Sequence, residues 1–160
     1  MRRQLASLLV ISLLGCGTPT VTEDNHGYGW AYDAQGPSGL QVRYAASMAA
    51  DRRPPIEWFE GIYIDVSACV GVTTTGPLLI LVDDLIGSTV LQGRYLPDTR
   101  TAVVWTDTRA LHNSTTQMRL PALKHEFVHH VLYAAGVPPE IHDTHAHLAF
   151  DACSGHVAWP

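Results

Sequence analysis

The chain has 160 residues, a length that suits one domain. Its formal net charge is −5, with 10 Lys and Arg against 15 Asp and Glu. No basic patch stands out, so nucleic acid binding has no electrostatic support.

The first segment in chain order is MRRQLASLLVISLLGC. Arg2 and Arg3 precede an apolar run from Leu5 to Leu14, and then come Gly15 and Cys16. A charged start, a short apolar core and a small residue form the layout of a secretory signal peptide, here residues 1–15. The run falls short of the roughly 20 residues that a membrane-spanning helix needs. The ending LLGC resembles the lipobox of bacterial lipoproteins. That resemblance implies cleavage before Cys16 and a lipid on its sulfur. The chain is then exported and anchored to a membrane, facing the periplasm or the cell surface. Loss of Arg2 and Arg3 with the signal takes the net charge from −5 to −7.

Residues 16–39 are rich in Gly, Thr, Asp and Pro and read as a flexible tether. The folded domain is expected over 40–160. Two cysteines remain in it, Cys69 and Cys153, and an exported chain suggests that they form one disulfide. Closing a loop of that size contributes roughly 4 kcal/mol in the chain-entropy account.

Leu40 to Asp51 contains helix formers and stops before Pro54-Pro55, which suggests a short helix. In Ile56 to Val66, Ile62, Ile64 and Val66 alternate with Tyr63 and Asp65, which suggests a strand. After the turn signal Gly76-Pro77, LLILV reads as a buried strand, and Thr101 to Thr106 as another. Between them, Leu91, Tyr95 and Leu96 fit beneath a loop. From Leu120 on, apolar residues at 120, 123, 127, 128, 131, 132 and 135 keep the helical period. Pro121 fits its first turn, and Gly136 with Pro138-Pro139 ends it. Helix, strands and helix in this order give an α+β layout.

That last helix carries HEFVH. His125 and His129 are four residues apart and project from one face. Two imidazoles so placed can hold one zinc ion, and the adjacent Glu126 can take a proton from a water that the zinc activates. HEFVH resembles the HExxH signature of the zincin metallopeptidases. The resemblance implies an α+β fold with a small mixed sheet beside the active-site helix. It implies His125 and His129 as zinc ligands, Glu126 as general base, and a peptide or protein substrate.

A zinc site of this kind needs a third ligand. The metzincin pattern needs Gly and His where this chain has Leu132 and Ala135, so it is excluded. The glutamate-ligand pattern leaves only Glu140, in a Pro-Pro-Glu turn. Directly after that turn the chain reads IHDTHAHLAFDAC, and seven of the nine histidines lie from His125 onward. A histidine and then an aromatic a few residues on resembles compact zincins. His145 is the first choice, His147 the second and His142 the third. Phe150 would anchor a short helix in the core, with Cys153 as the disulfide anchor. Asp143 suits accepting a hydrogen bond from a ligand's free N–H, or ligating directly. His130 points about 100° away round the helix and fits a helix-surface or a satisfied core position. Tyr95, Tyr133 and His130 are the candidates for stabilising an oxyanion. His26, His112 and His156 are given no role.

The primary expectation is a membrane-anchored zinc metallopeptidase. The alternative is a zinc-binding, non-catalytic lipoprotein that binds a partner at the cell envelope, its metal closed off by a fourth ligand. The third is an exported domain whose histidines bind no metal.

Overall fold

The computed structural model of the chain describes residues 32–83, 92–106 and 121–155. The signal peptide, Cys16, Leu91, Leu120, His26, His112 and His156 lie outside the described residues, as does most of the tether. No helix among the described residues is long and apolar enough to cross a membrane.

Five short strands form one mixed sheet: β1 (Ala34–Gln35), β2 (Gln41–Arg43), β3 (Leu78–Val82), β4 (Gly93–Leu96) and β5 (Thr101–Trp105). Their order across the sheet is β1-β2-β3-β5-β4. Strands β2, β3 and β5 are parallel, with Val42 opposite Leu79 and Ile80 opposite Val103. The two edge strands, β1 and β4, are antiparallel to their neighbours. Helices α1 (Ile56–Val70) and α2 (Ala122–Ala134) are followed by two single-turn helices, α3 (Pro139–Asp143) and α4 (Ala149–Cys153). The fold is α+β, as the order of elements in the sequence suggests.

LLILV and TAVVW are unbroken apolar runs because both faces of the sheet are covered. Leu79, Leu81, Ala102 and Val104 join the main core with Phe59, Tyr63, Phe127 and Val131 of α1 and α2. Leu78, Ile80, Leu96 and Val103 form a second cluster on the opposite face. The disulfide Cys69–Cys153 spans 84 residues of sequence and ties the last turn of α1 to α4.

Three expectations are corrected. Ile56–Val66 is not a strand but most of α1. Its buried apolar residues are Phe59, Ile62, Tyr63 and Val66, which is helical spacing, and Ile64 of the alternating set is 51 % exposed. Pro54-Pro55 lead into that helix and Gly71, at φ 79°, ends it. Leu40–Asp51 is not a helix. Leu40 and Val42 are fully buried alternating residues and Gln41–Arg43 is a sheet strand, so the helix formers after it supply only a turn and a 3-10 turn at Ala50–Arg52. Third, the fold begins before Leu40. Ala34–Gln35 pairs with β2, and the turn between them is held by buried Glu60, which accepts hydrogen bonds from the Ser38 amide (2.6 Å) and hydroxyl (2.9 Å). A Cβ on Gly36 would lie 2.1 Å from Glu60 Oε2, so a side chain there would displace the carboxylate that holds the turn. The stretch left unassigned before Pro97 contains β4.

Candidate metal centre

Helix α2 starts at Pro121 and runs past the sheet with Leu123, Phe127, Val128 and Val131 buried. That packing fixes the helix and leaves His125 and His129 on a face turned toward α3 and α4. His145 reaches in from the segment between those two short helices. The three Nε2 atoms form a triangle with all three sides 3.2 Å. Among the described residues this is the one group of three or more such side chains that can hold a metal ion.

Hydrogen bonding does not account for the triangle. Each Nε2 carries one proton or one lone pair, never both. Three atoms of two kinds leave at least one pair facing like to like, either proton to proton or lone pair to lone pair. Burial also opposes charging. It lowers the pKa of His125 to about 4 and that of His129 to about 3, with neighbouring imidazoles adding to the effect. His145 is lowered by burial too, against the pull of Asp143. At neutral pH all three are neutral, and each can present an Nε2 lone pair in the tautomer protonated at Nδ1.

The backbone that delivers His145 is strained. Three helices end in the same hydrogen-bonded motif. After α1 the Gly71 amide donates to Ala68 O (3.2 Å) and the Val72 amide to Ser67 O (3.0 Å). After α2 the Gly136 amide donates to Tyr133 O (3.0 Å) and the Val137 amide to Leu132 O (3.0 Å). After α3 the His145 amide donates to His142 O (3.3 Å) and the Ala146 amide to Ile141 O (3.0 Å). These are Schellman ends, whose left-handed residue is usually glycine. Gly71 and Gly136 fit that rule, at φ 79° and 75°. At the third end the residue is His145, at φ 56°. His145 bears this strain where the other two helix ends have glycine; Arg100, at φ 51°, is the other non-glycine residue in this region among the described residues.

Phe150 of α4 lies beneath the site and is 2 % exposed. Its ring centroid is 5.0 Å from that of His125, 4.7 Å from His129 and 4.8 Å from His145. Glu126 is 4 % exposed and rests against β4, where a Cβ on Gly93 would fall 2.4 Å from Glu126 Oε1. Burial pushes the Glu126 carboxyl up to about 8, against the lowering influence of the Arg94 guanidinium.

The other candidate residues have different positions. His130 is buried and satisfied: its Nε2 donates to Thr75 O (2.8 Å) and its Nδ1 accepts from the Tyr95 hydroxyl (3.0 Å). Both polar groups are thereby engaged away from the triangle, although the Tyr95 ring stacks parallel to His129 at 6.3 Å. Tyr133 is partly exposed, its ring 6.1 Å from His142. His147 Nδ1 accepts the Ala149 amide (3.1 Å), which caps α4. His142 is buried with its ring 5.9 Å from that of His129, and neither of its nitrogens has a hydrogen-bond partner. Asp143 Oδ1 is 3.2 Å from His142 Nδ1 but without hydrogen-bond alignment. Asp143 thus lies against His142, while its charge also acts on His145 of the triangle. Gly93 and Arg94 carry no signal of their own in the sequence; a glycine inside a strand indicates close approach by another group, but the strand itself is not evident there.

No family model matches the chain, and no curated protein or solved structure shows significant similarity to it.

Proposed function

We propose that this chain is a zinc-dependent hydrolase of the zincin type, most simply a metallopeptidase. The observation that carries the reading is the 3.2 Å triangle of Nε2 atoms from His125, His129 and His145. At a zinc–imidazole distance of about 2.0–2.1 Å, tetrahedral ligand atoms stand about 3.3–3.4 Å apart. The triangle fits that spacing without rearrangement. Three protein ligands leave a fourth position open, which is the catalytic rather than the structural pattern.

Zinc held there supplies a Lewis acid that polarises a substrate carbonyl and makes water acidic enough to react near neutral pH. Glu126 is the chain's proton carrier for that step. It is adjacent to His125 in the chain and is fixed against Gly93, and as a carboxylate it would take a proton from water and return it to a leaving amine. A nearby dication shifts the carboxyl toward its ionised form, which is the form that accepts. Phe150 closes the site from below and excludes water there.

One observation favours the non-catalytic alternative, a zinc-binding lipoprotein that binds a partner at the cell envelope. Buried, unpaired His142 stands beside the triangle as a potential fourth ligand. Two measurements decide. Zinc content of the purified domain should be one ion per chain, lost in His125→Ala and His145→Ala. Cobalt substitution with Glu126→Gln should then give a metal-loaded, inactive protein whose spectrum responds to added anions at an open position. A wild-type domain that binds no metal rejects both readings. A cobalt spectrum unresponsive to every anion, with no hydrolysis of a peptide library, favours the alternative.

Export and anchoring through Cys16 belong to the same proposal. The disulfide suits an oxidising compartment. Fatty-acid labelling of the expressed chain that persists in Cys16→Ser would reject the anchor.

A further inference from the structure

We propose that Phe150, clamped by the Cys69–Cys153 disulfide, is the positioning residue for His145 in the three-histidine set, so that tight metal binding depends on the intact disulfide. The inference rests on the metal reading above and concerns what keeps the third ligand in place.

Helix α4 has five residues, far below the length at which a helix stands alone. It nevertheless carries Phe150, whose ring contacts all three imidazoles at centroid distances of 4.7–5.0 Å. Besides the burial of Ala149 and Phe150 in the core, what fixes α4 is its end: Cys153 is bonded to Cys69 in the last turn of α1. That helix is a 15-residue element seated by Phe59, Ile62, Tyr63 and Val66. The stretch between His145 and α4 has little packing of its own. Ala146 is exposed and Leu148 is 81 % exposed. On its other side His145 sits in the left-handed conformation that its own backbone disfavours. The third ligand thus depends on an anchor downstream, and that anchor is covalent. His125 and His129 ride on α2 and do not depend on it.

Reduction breaks the Sγ–Sγ bond and leaves two thiols. With a phosphine reductant, two electrons come from phosphorus and the protons from water, whose oxygen ends on the phosphine oxide. In an envelope compartment a dithiol would serve, itself oxidised to a disulfide. Freed from α1, α4 keeps only the burial of Ala149, Phe150 and Cys153, and His145 relaxes out of the triangle.

The experiment measures zinc affinity by competition with a chromophoric chelator on the mature chain. It compares the oxidised chain, the chain reduced with phosphine and blocked with iodoacetamide so that no thiolate can ligate, and Phe150→Leu with the disulfide intact. Visible spectra of the cobalt forms and far-ultraviolet circular dichroism are recorded on each. The expected result is at least a tenfold loss of zinc affinity on reduction and a comparable loss in Phe150→Leu. The cobalt spectrum should shift in both, with the helical signal of Phe150→Leu unchanged. Equal affinity in the oxidised chain and Phe150→Leu overturns the positioning role, and equal affinity in the oxidised and reduced chains overturns the redox dependence. An oxidised wild-type chain that binds no zinc rejects the metal reading itself, a separate outcome.

Discussion

Replacing His145 with glycine separates the two demands made on that position. The left-handed conformation at φ 56° costs a non-glycine residue about 1–2 kcal/mol. Glycine removes that cost but gives the unfolded chain more freedom, worth about 0.5–1 kcal/mol. Losing the imidazole also forfeits its edge contact with Phe150, about 0.5–1.5 kcal/mol. These terms nearly cancel, so the metal-free variant should match the wild type to within about 1 kcal/mol, a few degrees in melting temperature. With metal the two diverge. At free zinc 1,000 times the dissociation constant, the wild type gains about 4 kcal/mol. The variant, left with two ligands, should gain little. The assay is a pair of thermal melts, one with chelator and one with buffered zinc, on wild type, His145→Gly and His145→Asn. Asparagine tolerates the left-handed region and serves as a second probe without the ligand. A full zinc-dependent rise in His145→Gly would refute the ligand assignment. A metal-free variant destabilised by more than about 2 kcal/mol would refute the strain argument.

Three further outcomes are expected. Gly93→Ala drives a methyl group into Glu126, at 2.4 Å from Oε1 and 2.8 Å from Cγ; overpacking of this kind costs about 1–3 kcal/mol, and hydrolysis measured on the zinc-loaded variant should fall while zinc content stays at wild-type level. The metal-free domain should lose stability as pH rises from about 6.5 to 8, because the folded state holds the Glu126 proton up to about 8 whereas the unfolded carboxyl loses it near 4.5. It should also lose stability as pH falls below 6.5, because His125 and His129 stay neutral in the fold down to about 4 and 3 but protonate in the unfolded chain. Chemical denaturation across pH tests both limbs, and a Glu126→Gln domain that keeps the alkaline loss would count against the carboxyl as its source. His142→Leu should raise the melting point of the metal-free domain, since it replaces two unpaired buried nitrogens whose burial costs about 1–3 kcal/mol; a drop in calorimetry would show that the ring is engaged after all.

Legibility of the sequence tracked the length over which a pattern was sustained. Helix α2 was readable because its apolar period runs for about four turns and is bracketed by Pro121 and Gly136. With it came His125, Glu126 and His129 as one face. LLILV and TAVVW were readable because each is a short, mostly apolar run, too brief for a helix, and LLILV follows the turn signal Gly76-Pro77. Helix α1 was misread because three alternating residues, Ile62, Ile64 and Val66, satisfy a strand template, while the helical set reaches back to Phe59 and needs a longer window. Strand β2 was misread because three residues are too few for local propensity to compete with pairing, which the sequence does not display.

The proposed third ligand, His145, lay at a different level. His142, His145 and His147 fall within six residues, and no period separates them. What separates them is where a five-residue helix stops. Pro138 and Pro139 start α3, the Schellman end makes His145 its left-handed residue, and that turn sends the imidazole back toward α2. His142, still inside the helix, points into the core beside His129. His147, past the turn, is taken up in capping α4. The helix end is therefore the selecting device, and it works only because a histidine stands where Gly71 and Gly136 stand at the other two ends. Glycine there would ease the backbone and remove the ligand. The strain at this one position arises from using a helix terminus, rather than a longer element, to complete the site.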